Sequence, residues 1–262
     1  KEEKIAKRPF QILHLDKDLI VVDKASGILA SQPKQLNEQG FTGKHLADHI
    51  RRTLKKMDKE APYLGYVHRL DLETSGCICL ALTKDAHRKL AKQFQEKTAQ
   101  RGYRCITTGL PKNDRDTLVG TITRGLDGRQ KMMYGNDIEG EDAVTHFKVM
   151  ERFEGGADVS VNLETGRNHQ VRLAMASIGS PIFGDNLYGE RKKKAPRLML
   201  HAWNIEFVHP TTGQSMTFEA PMPKIFDVTR PPKLRSAPTY GQPREGQEDE
   251  GSYSSNEQPG SG

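Results

Sequence analysis

Long apolar runs are missing from this 262-residue chain, and their absence narrows where the protein can act. No apolar run approaches the roughly 20 residues that a membrane-spanning helix needs. The first residues, KEEKIAKRPF, contain no hydrophobic core of a secretory signal peptide. We therefore expect a soluble, cytoplasmic protein that has no membrane partner.

Cysteine is also scarce, and the sequence offers no recognisable metal site. Cys77, Cys79 and Cys105 form no CxxC pair and have no nearby His, so they suit no common zinc site. His45 and His49 stand four apart in HLADH but lack the Glu of HExxH. We expect no metal and three reduced thiols. Because Cys77 and Cys79 alternate within CICLAL, a strand there would bury both on one face.

Charge and hydrophobic content favour a folded protein with a polyanionic partner. Hydrophobic residues make up 35% of the chain, enough for a packed core, and the net charge is +6. Such a surface attracts nucleic acid. Charge alone does not establish that partner, since lysine-rich runs are usually solvated faces.

Composition divides the chain into three parts. Residues 231–262 are rich in Pro, Gly, Ser and Glu and nearly lack aliphatic side chains, so we predict a disordered tail there. The tail has three basic and five acidic residues, hence a net −2, which leaves +8 on the rest. We predict one folded domain over residues 10–230 and a short extension over residues 1–9.

Strand-like runs dominate the folded part, and Gly, Asp and Pro signals separate them. The predicted strands are QILHLD, LIVVDK, YVHRL, CICLALT, YRCITTG, VTHFKVM, ADVSVNL and LMLHAWNIEF. Helical spacing occurs at about residues 42–57, 85–96 and 168–178, with Asp85 where an N-cap would start the second helix. This order predicts an α+β fold on a mixed, mostly antiparallel sheet with flanking helices.

One candidate for chemistry lies in YVHRLDLETSGCICLAL, residues 66–82. Asp71 stands between a predicted strand and a small-residue turn at Thr74, Ser75 and Gly76. A carboxylate in that position is held rigidly yet exposed at a cleft, which suits a nucleophile or base. On these residues alone, turn capping by Asp71 is the simpler interpretation.

A second candidate lies in LETGRNHQVRLAMASIGSPIFGDNLYG, residues 163–189. Gly166 ends a strand, and the helix that follows has an apolar stripe with Arg172 at its margin. An arginine there could hold Asp71 as a bidentate ion pair. A solvated helix arginine is the alternative.

Together the two segments resemble the RluA family of pseudouridine synthases. HRLDLETSG is similar to the family's HRLD-x-x-TSG signature, and GRNHQVR through GDNLYG is similar to its GRTHQIR and GD-x-x-YG signatures. Further similar runs are ILHLDKDLIVVDKASGIL, YRCITTG and LHAWNIEFVHPTTGQ, so the resemblance covers about residues 10–225 in the family's order.

The resemblance implies a fold, an activity and a set of site residues. The fold is a bent sheet in two subdomains around a catalytic cleft. The activity is conversion of specific uridines to pseudouridine in structured rRNA or tRNA, without metal or organic cofactor. The catalytic residues would be Asp71, Tyr103 and Arg172, and Arg69 would enter the RNA when the target base leaves the stack. The residues we expect to contact RNA are Arg69, His68, Arg167, Arg191, Lys192, Lys193 and Lys194.

The chain departs from the family pattern at four positions that bear on substrate contacts. Leu72 replaces the usual basic residue after the aspartate, and Arg101 replaces a frequent Lys. Asn168 replaces the usual Thr, and Ala174 replaces a frequent His. No S4-type RNA-binding module precedes residue 10, so we expect the folded domain itself to supply RNA affinity.

Two other functions remain open at this point. One is an RNA-binding protein that kept the fold without catalysis, against which intact Asp71, Tyr103 and Arg172 argue. The other is a nucleoside-cleaving hydrolase, which would need a second carboxylate to position water. We expect a monomer with no obligate protein partner.

Overall fold

The structure is a computed structural model and describes residues 8–30, 45–59, 63–125, 128–189 and 195–228. In these ranges eleven strands form one sheet. The strands are β1 Phe10–Leu15, β2 Leu19–Lys24, β3 Gly65–Tyr66, β4 Ser75–Ala81, β5 Gln100–Thr108, β6 Arg115–Arg124, β7 Gln130–Met133, β8 Glu141–Phe153, β9 Gly156–Leu163, β10 Leu200–Val208 and β11 Ser215–Glu219. The helices are α1 Leu46–Lys56, α2 Lys84–Gln95, α3 Gln170–Ser177 and α4 Ile225–Val228.

The sheet is mixed but mostly antiparallel, which confirms the predicted α+β class. Its strand order is β1-β2-β4-β10-β5-β9-β8-β6-β7, with β3 paired to β4 and β11 paired to β10. The pairing of β4 with β10 is parallel, and the other pairings are antiparallel. The predicted division into two subdomains stays a prediction.

Two hydrophobic clusters pack against the sheet, because alternate residues of a strand point to opposite faces. On β2, Ile20 and Val22 belong to the larger cluster, while Leu19 and Val21 belong to the smaller one. Cys77 and Cys79 are both buried in the smaller cluster, as their alternation predicts. The three cysteines are free thiols.

Helices α1, α2 and α3 agree with the predicted spacing, with one correction at α2, whereas the short α4 was not predicted. Thr83, not Asp85, is its N-cap, and the Thr83 hydroxyl accepts a hydrogen bond from the Ala86 amide at 3.1 Å. Asp85 lies in the first turn instead. For α1, the predicted residues 42–44 lie outside the described part. No described helix combines the length and apolar character that crossing a bilayer requires.

Three strands were not predicted, and a fourth is shorter than predicted. Strands β6, β7 and β11 contain few or no buried residues and carry no long apolar run. The run YVHRL forms a strand only through Tyr66, in β3. Residues 67–74 therefore form a loop, which we call the Asp71 loop.

The parallel joint between β4 and β10 fixes the end of the Asp71 loop. The Ser75 hydroxyl lies 2.8 Å from Nδ1 of His201 and accepts a hydrogen bond from Arg197 at 2.7 Å. Gly76 has a φ of 116°, and a Cβ placed there would lie 2.1 Å from the carbonyl oxygen of Ala202. Only glycine allows this close approach of the two strands.

Candidate active site

Asp71 lies in the middle of the Asp71 loop, with its side chain 20% exposed. The Thr74 amide donates to the Asp71 carbonyl at 3.1 Å and closes a turn. The neighbouring Leu70 is buried, whereas Leu72 is 46% exposed. The buried leucine anchors the loop, so the carboxylate of Asp71 is presented from a fixed backbone.

The turn that follows β2 holds the Asp71 loop by hydrogen bonds. The Gly27 amide donates to the Leu72 carbonyl at 2.8 Å, and the Ser26 hydroxyl donates to the Glu73 carbonyl at 2.7 Å. Lys24 is fully buried, and its Nζ lies 3.4 Å from the Leu72 carbonyl while donating to two carbonyls of its own turn. Burial lowers the pKa of Lys24 to about 7.

Arg172 projects from α3 and is buried, with 3% of its side chain exposed. Its Nε and one terminal nitrogen donate to the two oxygens of Asp185 at 2.8 and 2.7 Å. The other terminal nitrogen lies 3.8 Å from Oδ2 of Asp71. The predicted bidentate pair with Asp71 is therefore wrong: the fork of Arg172 holds Asp185, and a single nitrogen faces Asp71.

Asp185 is the main site residue that the sequence analysis missed. Its side chain is fully buried, and it accepts further hydrogen bonds from the amides of Leu187 and Tyr188 at 2.9 and 3.0 Å. Burial raises the pKa of Asp185, but the hydrogen bonds and charge of Arg172 outweigh it and lower the pKa below its usual value. The sequence signal for Asp185 was its place as the aspartate of the motif GDNLYG.

His169 faces Asp71 from the start of α3 and was also missed. It occupies the left-handed backbone region with a φ of 55°. Its Nε2 lies 3.9 Å from Oδ1 of Asp71, and its Nδ1 lies 2.8 Å from the Tyr188 hydroxyl. Burial lowers the pKa of His169 although the charge of Asp71 raises it. The signal was the His of GRNHQVR.

The three predicted catalytic residues, Asp71, Tyr103 and Arg172, line one cavity of about 210 Å³ together with Arg69. Tyr103 lies on β5 and is 7% exposed, and burial raises the pKa of its hydroxyl. This cavity, which we call the Asp71 cavity, also has Arg101, Arg167 and His169 in its wall. One carboxylate therefore faces several cationic side chains.

Arg101 enters the wall of the Asp71 cavity because Gly166 leaves room for it. A Cβ at Gly166 would lie 2.5 Å from a terminal nitrogen of Arg101. Arg101 donates to the Thr165 carbonyl at 3.2 Å and lies over the Phe94 ring at 5.6 Å. Gly166, predicted as a strand breaker, thus also admits a guanidinium.

The residues predicted to contact RNA differ in their exposure and in their hydrogen bonds. Arg69 is exposed. Arg167 donates to the Asp142 carbonyl at 3.0 Å and to the Glu141 carboxylate at 3.1 Å, so it is anchored to the start of β8. Arg191, Lys192, Lys193 and Lys194 lie outside the described residues.

His68 turns inward, and its contacts favour a structural role over the RNA contact predicted for it. Its Nε2 accepts a hydrogen bond from the Cys79 amide at 3.0 Å, and its ring stacks on Phe94 at 4.8 Å. Burial lowers the pKa of His68 to about 3, with Arg101 adding to the effect. The imidazole is therefore neutral near pH 7.

A separate cluster of Asp16, Asp18 and His209 has ligand atoms within 4.8 Å of one another, close enough for a metal ion. However, Nδ1 of His209 accepts hydrogen bonds from two backbone amides. That places the ring proton on Nε2, which donates to Asp16 at 3.0 Å. His14 also donates to Asp16, at 2.7 Å. These contacts fit a hydrogen-bonded cluster better than a metal site.

Comparison with known proteins gives these residues a family context. The pattern of the family described as RNA pseudouridylate synthase matches residues 18–177. The ribosomal large subunit pseudouridine synthase D of Nitrosomonas europaea is 35% identical over 225 residues, 82% of this chain and 62% of that protein. The synthase of the same name from Pseudomonas aeruginosa is 34% identical over 230 residues, 82% of this chain and 69% of that protein. The chain thus spans about two thirds of the length of these relatives.

Solved structures agree at the level of the fold. Human RNA Pseudouridylate Synthase Domain Containing 1 has a TM-score of 0.69 and 24% identity, and the match covers 88% of this chain and 91% of the human one. A second human protein, RNA Pseudouridylate Synthase Domain Containing 4, has a TM-score of 0.65. The family pattern covers more than half of the sequence, and the relatives exceed 30% identity. The chain belongs to the RNA pseudouridylate synthase family.

Proposed function

We propose that this protein converts specific uridines to pseudouridine in structured RNA, with Asp71 as its catalytic carboxylate. The observation that carries this proposal is the position of Asp71. It faces the Asp71 cavity, 3.8 Å from a guanidinium nitrogen of Arg172, and Asp185 fixes that guanidinium from behind. A carboxylate beside a rigid cation is a defined nucleophile or base.

The reaction needs no more than these side chains supply. The N1–C1′ bond of uridine breaks, the uracil rotates, and a C5–C1′ bond forms. C5 then loses its proton and N1 gains one, so the change is redox-neutral. Asp71 could attack C1′ or take the 2′ proton to give a glycal intermediate, and both routes use one carboxylate. Tyr103 lines the same cavity and offers a ring against which the detached uracil can stack.

The lining of the Asp71 cavity favours an isomerase over a hydrolase. Among the described residues that line it, Asp71 is the single carboxylate. Asp185 is fully buried, is outside the wall of this cavity and accepts four hydrogen bonds from Arg172 and backbone amides, so it is not placed to position water there. Hydrolysis of a glycosidic bond usually needs a second carboxylate for that step.

The charge around the Asp71 cavity favours RNA as the substrate. Four arginines line it, namely Arg69, Arg101, Arg167 and Arg172. A target base in folded RNA must leave its stack, which costs about a few kcal/mol. Exposed Arg69 is planar and cationic, so it suits the space that the base vacates. The names of the relatives support ribosomal RNA as the substrate, with transfer RNA as the alternative.

Tritium release tests the activity. RNA transcripts labelled with tritium at uridine C5 lose the label when C5 becomes bonded to the ribose. We expect release by the wild type and none by Asp71→Asn. Glu73→Gln is the matched control, because it removes a carboxylate two residues away in the same loop, and we expect it to release tritium at the wild-type rate. Equal release by the wild type and Asp71→Asn would remove Asp71 from its proposed role.

The role of Arg69 has a separate test. For Arg69→Ala we expect RNA binding to be largely retained and turnover to be lost, since the arginine acts when the base leaves the stack. Unchanged turnover would refute this role. We also expect the affinity for RNA to fall steeply with salt concentration, because phosphate contacts release counterions. We also propose that the protein is cytoplasmic and acts as a monomer, and its elution volume in size-exclusion chromatography would check the monomeric state.

A further inference from the structure

A second cavity, of about 420 Å³, shares Arg69 with the wall of the Asp71 cavity. We call it the Tyr63 cavity. Its wall comes from the turn and strand around β3 and from α2, and includes Tyr63, Tyr66 and His87. Its volume is within the range of small-molecule sites in proteins. The reaction at Asp71 makes no use of it.

Hydrogen bonds hold the aromatic wall of the Tyr63 cavity in place. His87 Nε2 donates to the Tyr66 carbonyl at 3.1 Å, and its Nδ1 lies 2.8 Å from the Tyr63 hydroxyl, within hydrogen-bond distance. The rings of Tyr63 and His87 are 5.8 Å apart between centroids. Both ring nitrogens of His87 are in hydrogen bonds, and the planes of the two rings are tilted by 49°, so the ring of Tyr63 is held in one orientation in the cavity wall. A ring held in this way can stack on a planar base with little loss of conformational freedom.

Arg69 connects the two cavities, because its side chain belongs to the wall of both. Aromatic rings next to cationic side chains are the combination by which proteins hold unstacked nucleotides. A uridine in the Asp71 cavity would lie next to Arg69, which is also in the wall of the Tyr63 cavity. The Tyr63 cavity then lies where an adjoining nucleotide can enter.

From this geometry we infer that the Tyr63 cavity binds the base of a nucleotide neighbouring the target uridine, stacked on the ring of Tyr63, beside Arg69. The inference rests on the proposed function, since it assigns a second contact to the same RNA. The enzyme would then hold two unstacked bases at the same time. Stacking tolerates any base, so this site adds affinity and register more than sequence preference.

The test compares Tyr63→Ala with Tyr63→Phe, which keeps the ring and removes only the hydroxyl. Substrates are transcripts of large-subunit ribosomal RNA and pooled transfer RNA, labelled with tritium at uridine C5. Loss of one stacking contact weakens binding about 5-fold to 100-fold. We expect Tyr63→Ala to raise KM by such a factor and to leave kcat within about twofold of wild type. Tyr63→Phe keeps the stacking ring but loses the hydrogen bond to His87, so it should raise KM clearly less than Tyr63→Ala. Thermal unfolding confirms that each variant is folded at the assay temperature.

A second measurement does not depend on turnover. The same transcripts, made with 4-thiouridine, are photo-crosslinked to the Asp71→Asn variant, and the attached peptides are mapped by mass spectrometry. We expect crosslinks on peptides that contain Tyr63 or His87. Tritium release with an unchanged KM in Tyr63→Ala and no crosslinks at these peptides would overturn the inference and leave the proposed function standing. Crosslinks at the Tyr63 cavity without tritium release by the wild type would support the binding site and overturn the catalytic proposal.

Discussion

Asp185→Asn should destabilise the protein strongly, because it leaves a buried guanidinium without its carboxylate. Arg172 and Asp185 are 3% and 0% exposed, and two hydrogen bonds of 2.7 and 2.8 Å join them. Removing one partner of such a buried pair costs about 3–5 kcal/mol. For a domain of this size that corresponds to a fall in Tm of about 6–20 °C. Catalytic activity should fall as well, since Arg172 becomes free to turn towards Asp71.

Urea unfolding measures this loss directly. Trp203, the single tryptophan of the chain, lies on β10 and reports on the central sheet by its fluorescence. Asp85→Asn is the control: it removes an aspartate that also contacts two cations, but on an exposed helix face where solvent screens the charges. We expect the control to leave the unfolding midpoint unchanged.

The pH dependence gives a second check on the same pair. The pKa of Asp185 is lower in the folded state than its usual value of 3.8. A carboxylate with a lowered pKa stabilises the fold fully above its unfolded pKa and loses that contribution as the pH falls through the folded value. The difference between the wild type and Asp185→Asn should therefore be constant at neutral pH and shrink in acid. A loss below about 1 kcal/mol at pH 7, as surface pairs give, would refute the buried-pair argument.

Three further predictions concern the support of the Asp71 loop. Gly76→Ala should lower the free energy of unfolding by about 2 kcal/mol or more, because it adds strain at positive φ and a clash with the Ala202 carbonyl. The control is Gly213→Ala, at a positive φ in open space, which should lower the free energy of unfolding clearly less in the same urea titration. The free energy of unfolding of the wild type should rise relative to Lys24→Met between about pH 7 and 10.5, where the unfolded chain binds the lysine proton and the folded one does not; a flat difference over this window would contradict a buried lysine of low pKa. His169→Gln should leave the midpoint nearly unchanged and lower kcat in the tritium assay, since its Nε2 faces Asp71 at 3.9 Å; full activity would exclude it from the site.

The strands that could be predicted from the sequence are those with a clear apolar pattern of their own. Strand β2 has the predicted bounds because LIVVDK is an unbroken apolar run between turn residues. Strand β6 was missed because it pairs through its backbone while exposing Arg115, Thr117 and Val119. Its strand character comes from its neighbours rather than from its own pattern.

The contents of the candidate site were easier to predict than its pairings. Asp71, Tyr103 and Arg172 come from three segments, and the structure brings all three to one cavity. The partner of the Arg172 fork was not readable from spacing, because Asp71 and Asp185 are both carboxylates in conspicuous motifs. Only the position of the chain after α3 decides which of them is within hydrogen-bond range. The inward turn of His68 likewise depends on Phe94, which a distant helix supplies.

The central place of β10 in the sheet sets an order of events during synthesis. β10 lies between β4 and β5, although more than ninety residues separate it from either in the chain. A ribosome must therefore complete residues 200–208 before the two sides of the sheet can join and the Ser75–His201 contact can form. Pairing across such a separation is slow compared with local helix formation. The nascent chain would thus expose Asp71 without its cavity, and RNA modification would begin only after the last sheet strands have left the ribosome.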